Sequence, residues 1–289
     1  MDRGGRVLSD RLPLVFSGRF RVGTASTNAR SATVALVGVA LLLVFVVDPV
    51  VAGAALVTGV LNTAGGGGAV VTFLALSAGG VPALTAHASS QVVTPVSFLG
   101  GLSAAREHRL DRRWMLAGGA GAVCGVAILA FTEPGTFQAV APWCLLPAAA
   151  LVAMQGPVQR LVRTSGRRIG PTTTLAAVFV CGVYAGLIGI GTGTIAVVVC
   201  GLVPGIVHTR LAHLLQVRNV LLTVMAAVVA AAFAVTGLAD WRLVALLAPP
   251  AAVGGWLGTK ILGHVPAWLL RSVIVATALA GTAWLVMRS

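Results

Sequence analysis

Two glycine clusters interrupt the apolar runs of this chain: Gly65, Gly66, Gly67 and Gly68, and then Gly189, Gly191 and Gly193. A glycine break ends one helix and starts another. The new helix opens with unpaired backbone N–H groups and the positive end of its dipole. Such an end takes an anion without any formal charge, and glycine lets the ligand approach the backbone. Asn62 before the first cluster, and Thr192 and Thr194 within the second, add an amide and two hydroxyls. The chemistry they suggest is binding of a small anion. The opposing reading is close helix packing through small residues. Duplication of the cluster, each copy followed by a Val-Pro step (Val81-Pro82 and Val203-Pro204), favours a binding site.

A second set of polar groups lies on the long apolar segments beyond each break. The first carries Ser90, Gln91 and Thr94, with His87, Ser89 and the interior Pro95. The second carries Gln216, Arg218 and Asn219, with His208, Arg210 and His213. Gln91, Thr94 and Phe98 are spaced to share one helical face, as are Gln216, Asn219 and Thr223. Amide and ionisable groups are costly against lipid and mark pathways by default. Arg218 stays open between an anion ligand and a side chain that snorkels to a membrane boundary. His208 and Arg210 are read as interfacial, and His87 and His213 as hydrogen-bonded structural histidines. Asp48, deep in an apolar run before Pro49, is either a proton relay or a helix irregularity. The remaining carboxylates, such as Glu107, Asp111, Glu133 and Asp240, fall at segment ends, which disfavours a cation-driven site.

Catalysis finds no support. HExxH, GxSxG and GxxxxGK[ST] are absent, and no acidic cluster accompanies an arginine on the long segments. No cofactor or metal is expected. Cys124, Cys144, Cys181 and Cys200 lie in apolar stretches without paired spacing and read as free buried thiols.

The elements that position these groups must lie in lipid. Hydrophobic residues make up 57% of the 289 and charged residues only 9%, too few to cover a soluble domain. Several apolar runs reach the ~20 residues that a membrane-crossing helix needs. The expected fold is all-α: a polytopic integral membrane protein of about eight transmembrane helices, in two four-crossing repeats with broken glycine-rich half-helices. The pieces 69–79 and 195–203 are too short to span. Counting each with its following long helix as one traverse makes the repeats parallel. The organisation is then a basic tail over 1–32, a first repeat over 33–154, an arginine-rich connector over 155–171 and a second repeat over 172–289.

The net charge of +13 does not indicate a nucleic-acid partner. Arginines gather in the tail, at 106–113 and at 160–168, each beside an apolar run, which is the positive-inside pattern. The 132–141 connector, which has no Lys or Arg, is expected outside, with both termini cytoplasmic in a plasma-membrane protein. The tail is read as a retained, disordered extension and not as a cleaved signal. The expected partners are a small anionic substrate and the bilayer, with a homo-oligomer left open.

The stretches LNTAGGGGAVVTFLALSAGGVPALTAHASS and VTPVSFLGGLSAAREHRL resemble the first half of the sulfite exporter TauE/SafE family. FQAVAPWCLLPAAALVA is similar to its Phe…Pro-Trp-Leu-Leu segment. GVYAGLIGIGTGT, AHLLQVRNVLLTVMAAVVAAAFAVTGLADW and GGWLGTKILGHVPAWLLRSVIV resemble the second half. The likeness covers about 50–287. It departs from the family pattern at Thr192 and Thr194 and in the run AHASSQ after Pro82. It implies a permease of two homologous halves that moves sulfite, organosulfonates or related anions without hydrolysing ATP. The rival reading is a non-transporting membrane scaffold whose glycines serve packing alone.

Overall fold

The computed structural model describes residues 38, 49–64, 66–98, 111–164, 168–203, 211–261 and 265–288. The tail, Asp48, Gly65, His208 and Arg210, and the side chains of His213 and Gln216, lie outside the described residues.

Eleven helices and no strand occur among the described residues: α1 Pro49–Ala64, α2 Ala69–Ala78, α3 Ala83–Phe98, α4 Arg112–Ala130, α5 Pro134–Ala153, α6 Gln155–Thr164, α7 Pro171–Leu187, α8 Thr192–Gly201, α9 Leu211–Thr236, α10 Trp241–Ile261 and α11 Ala267–Arg288. Their starts follow ordinary capping chemistry. Asp111 Oδ1 accepts from Arg113 N at 2.9 Å, and Asp240 Oδ1 accepts from Arg242 N at 2.8 Å. Both carboxylates therefore cap helices, as expected of acids at segment ends. Proline opens α5 and α7, where a missing N–H costs nothing.

Four helices, Arg112–Ala130, Pro134–Ala153, Val217–Thr236 and Trp268–Met287, are long and apolar enough to cross a bilayer. Phe131, Trp143, Val180 and Val235 are exposed on the perimeter, as a lipid-facing surface requires. The 155–171 connector contains a helix, α6.

The two short helices double back. Thr58 of α1 donates to Gly68 O at 2.8 Å and lies 2.6 Å, oxygen to oxygen, from Thr72 of α2. In the second unit Ile169 N donates to Leu202 O at 3.1 Å, so the end of α8 returns to the level at which α7 begins. Each short helix therefore belongs to a hairpin with the helix before it. It does not continue into the helix after it.

That finding corrects the crossing count and, with it, the parallel relation of the halves. On the facing helices α3 and α9, His87 meets Phe233 at 6.0 Å between ring centroids, while Phe98 shares a cavity with Leu222 and Met225. The two helices run antiparallel. Ser77, Gln138 and Trp284 line one cavity, and Ala153, Arg160 and Trp268 line another. The end of α11 therefore lies on the side of the α4–α5 connector, and its start on the side of arginine-bearing α6. An outward 132–141 connector and a cytoplasmic C-terminal end cannot both hold.

Small residues hold the scaffold together. α1 packs parallel to α10 through Gly59, Gly254 and Gly258, and α4 packs parallel to α7 through Gly118, Gly121, Gly125, Gly182 and Gly186. A Cβ on Gly121 would run into Phe179 O, and one on Gly254 into Leu56 O. The packing reading of glycine is correct at these positions. At the breaks, glycine meets a different requirement.

Candidate functional site

The two hairpin tips meet. A Cβ placed on Gly66 would lie 3.4 Å from Gly193 Cα, and one on Gly67 would lie 3.6 Å from Gly191 N. Gly66 (φ 72°), Gly67 (φ 128°), Gly189 (φ 71°) and Gly191 (φ 81°) all hold left-handed backbone, which other residues adopt only under strain. Between the tips lies a cavity of about 40 Å³. By the ~10–15 Å³ that one water requires, it has room for a few waters or a small ion.

Asn62 governs the first tip. Its side chain is 1% exposed. Its Oδ1 accepts from Gly68 N at 2.7 Å and from Gly67 N at 3.3 Å. Two acceptor bonds to backbone amides fix which end of the amide is oxygen. The nitrogen, Nδ2, is then left buried with no hydrogen-bond partner among the described residues, on a residue that lines the cavity. The amides of the break itself, Gly67 N and the N-cap Gly68 N, are occupied by Asn62 and not free to face a ligand. The side chain relays them: amides at the positive end of α2 polarise its carbonyl, and the polarisation strengthens the free N–H₂ donor.

The second tip is tied by its own atoms. Ile188 N and Gly189 N both donate to Tyr184 O, at 2.9 and 3.1 Å. The Tyr184 hydroxyl donates to Ile190 O at 2.7 Å, and Thr192 Oγ1 donates to Gly189 O at 2.7 Å. Gln91 of α3 reaches across and donates from Nε2 to Ala185 O at 3.2 Å, against the Cα of Gly189. The remaining wall is apolar, from Leu222, Met225, Ala226 and Val229 of α9.

Eight expected site residues line this cavity: Asn62, Gly66, Gly67, Gln91, Thr94, Gly189, Thr192 and Gly193. Gly68 and Gly191 stand directly behind it as N-caps of α2 and α8. Thr194, the residue after Gly193 on α8, is buried but does not line the cavity. Ser90 is buried but bonds its own helix at Ala86 O (2.7 Å), as Thr94 does at Ser90 O (3.0 Å).

Arg218 and Asn219 do not line the cavity. Arg218 is 2% exposed, and its Nε and Nη2 both donate to Asn219 Oδ1, at 3.1 and 2.6 Å. The guanidinium is buried in protein and not extended to a boundary. It lies one turn of α9 from Leu222, on the side where α7 begins and α8 ends. Asp111, Glu133 and Asp240, the carboxylates among the described residues, occupy helix ends elsewhere. Among the described residues, then, no carboxylate accompanies this buried cation, and a buried charge so placed is costly.

His87 differs from its expected reading. Its Nε2 has no partner among the described residues, and the ring is held by Phe73, Phe137 and Phe233 at 5.5–6.1 Å. Aromatic packing surrounds the histidine, and its Nε2 is left without the hydrogen bond expected of it among the described residues. Cys181 and Cys200 are buried free thiols, whereas Cys124 is exposed on the perimeter and Cys144 is half-buried.

Sequence reasoning missed Tyr184 and the apolar α9 wall. Tyr184 is the sole tyrosine in the chain and stands five residues before a glycine break, a signal that was available. The α9 wall carried none, since Leu, Met, Ala and Val there look like any lipid-facing stretch.

Comparison with curated proteins and with solved structures returned no match. A family model described as Sulfite exporter TauE/SafE matches residues 50–285, from the second residue of α1 to within three residues of the end of α11. With most of its length inside that match, including both hairpin tips and the cavity between them, the chain belongs to the sulfite exporter TauE/SafE family of membrane transporters.

Proposed function

We propose that the chain is a secondary transporter of a small sulfur-containing anion, such as sulfite or an organosulfonate, and that the anion passes between the two hairpin tips. The observation that carries this reading is Asn62 Nδ2, a buried donor with no partner among the described residues, on the wall of a cavity between two glycine breaks. A donor left unpaired costs about 1–3 kcal/mol, which a bound anion would return. Gly66, Gly67, Gly189 and Gly193 allow close approach, and the Thr94 and Thr192 oxygens and the Gln91 amide complete the polar wall. Arg218, with Asn219 orienting it, is the attracting charge on the path from the arginine-rich side. Gly65 and Gln216 remain candidates by sequence position alone.

On this reading α1–α5 and α7–α11 form inverted repeats, the arrangement in which broken helices meet at a midplane site. The arginine-rich side, with α6, is cytoplasmic by the positive-inside pattern. The end of α11 then faces outward; a cytoplasmic N-terminus and a plasma-membrane location rest on the arginine pattern of the sequence alone.

The test is flux of labelled sulfite, thiosulfate and a short organosulfonate in proteoliposomes, paired with thermal unfolding in the presence of each anion. Arg218→Gln should lower flux at least tenfold, on the order of a lost charged hydrogen bond, with the fold retained. Absence of flux together with absence of stabilisation by any of these anions would return the chain to the scaffold reading.

A further inference from the structure

A second polar concavity lies far from the tips, on the arginine-rich side. A groove of about 510 Å³ runs between α6 and the first half of α11. Two cations from different helices line it, Arg160 of α6 and Arg271 of α11, and none of the described residues that line it is a carboxylate. Arg271 is seated closely: a Cβ on Gly156 would lie 2.7 Å from its Nη1, so the guanidinium rests against the first turn of α6. Below the two cations the wall turns apolar, through Val275 and Leu279.

The elements around the groove have the character of a membrane interface. α6 (QGPVQRLVRT) follows α5 directly and is amphipathic. It buries Val162 while exposing Arg160 and Leu161. A short helix with cationic and apolar faces at the end of a membrane span lies in the headgroup layer. Trp268, 62% exposed at the start of α11, marks the same level as an interfacial aromatic.

We infer that this groove is a binding site for an anionic phospholipid, with the headgroup phosphate between Arg160 and Arg271 and an acyl chain along Val275 and Leu279 of α11. Two arginines on one groove that also carries an apolar track fit a phosphodiester attached to a hydrocarbon chain. A free anion would leave the apolar half unused. The site is independent of the transport cavity and of the anion reading placed there.

The test uses the full chain, purified in detergent and delipidated. Native mass spectrometry and thermal unfolding are followed while phosphatidylglycerol, phosphatidylcholine or inorganic phosphate is added. Phosphatidylglycerol should bind and raise the unfolding temperature, and the other two should not. Arg160→Gln and Arg271→Gln should each weaken phosphatidylglycerol about fivefold, and the pair about thirtyfold. The pair Arg160→Lys and Arg271→Lys should retain most of the binding, which separates lost recognition from lost folding. Arg112→Gln with Arg113→Gln, exposed cations at the start of α4, serves as the control. The inference is overturned if this control weakens binding as much, since the effect would then be diffuse charge. Equal stabilisation by inorganic phosphate or by phosphatidylcholine would also overturn it.

Discussion

The two hairpin tips look alike in sequence and are built differently. At the first, a side chain does the work of the missing helix turn: Asn62 Oδ1 takes up Gly67 N and Gly68 N, and the other end of the same amide is left free. At the second, backbone and hydroxyl groups close on one another through Tyr184, Ile188, Gly189, Ile190 and Thr192. One tip therefore presents a donor, while the other presents a shaped wall. Duplication of a motif need not duplicate its chemistry, because the same left-handed turn can be satisfied in two ways.

The largest test of that difference is Asn62→Leu. It strands two buried backbone N–H groups, each costing about 1–3 kcal/mol. The unfolding temperature should collapse and flux with it. Asn62→Asp separates the two jobs of the residue, since a carboxylate still accepts from Gly67 and Gly68 but has no N–H₂ to donate. Its fold should survive while anion affinity falls about 10–100-fold, the range for a hydrogen bond to a charged group. Wild-type flux in Asn62→Asp would remove Nδ2 from the site and leave Asn62 as a cap alone.

Backbone strain gives the next effect, and here the tips should agree. Gly67→Ala at φ 128° and Gly191→Ala at φ 81° each force a side chain into a conformation costing about 1–3 kcal/mol. Both should lower the unfolding temperature to a similar degree. If Gly191→Ala were neutral, the second tip would be an ordinary helix start and the likeness between the breaks superficial.

How much of this was legible in advance follows from what each feature depends on. The helices, the break positions and the membrane setting rest on local composition, and the short pieces read as 69–79 and 195–203 are α2, Ala69–Ala78, and α8, Thr192–Gly201. The direction of the half-helices was not legible. Whether α8 continues toward α9 or folds back beside α7 depends on a tertiary contact, Ile169 N to Leu202 O, that no periodicity encodes. The parallel arrangement inferred from the crossing count failed for that reason. Among the site residues, Asn62 and the glycines could be read because each relieves a local backbone problem. Arg218 could not be placed, since its depth depends on where α9 starts relative to the two hairpins. Glycine was ambiguous throughout: Gly121 and Gly67 look equivalent in sequence, yet one admits a neighbouring helix and the other turns the chain.

A smaller effect is expected at Tyr184. Tyr184→Phe removes the bond to Ile190 O and leaves that carbonyl without its hydroxyl partner, at about 1 kcal/mol. Thermal unfolding should register this as a drop of a few degrees. Flux should stay within about threefold of wild type, because the hydroxyl donates inward to the backbone and is spent there. A loss of flux as large as that of Asn62→Asp would mean that the second tip also contributes chemistry.

The smallest effect concerns the bond that ties the tips to the facing helix. Gln91 Nε2 reaches Ala185 O at 3.2 Å, from α3 to the end of α7, and its amide lies against Gly189. Gln91→Met keeps the length and most of the volume of the side chain while removing the donor, so stability should fall by only about 0.5–1.5 kcal/mol. The consequence for transport depends on what the bond is for. If the second tip is a passive wall, flux should follow stability and change little. If the α3–α7 tie must open for the anion to pass, Gln91→Met should raise flux at fixed anion concentration while Asn62→Asp lowers it. Opposite signs for two residues on the same small cavity would assign binding to the first tip and gating to the contact with the second.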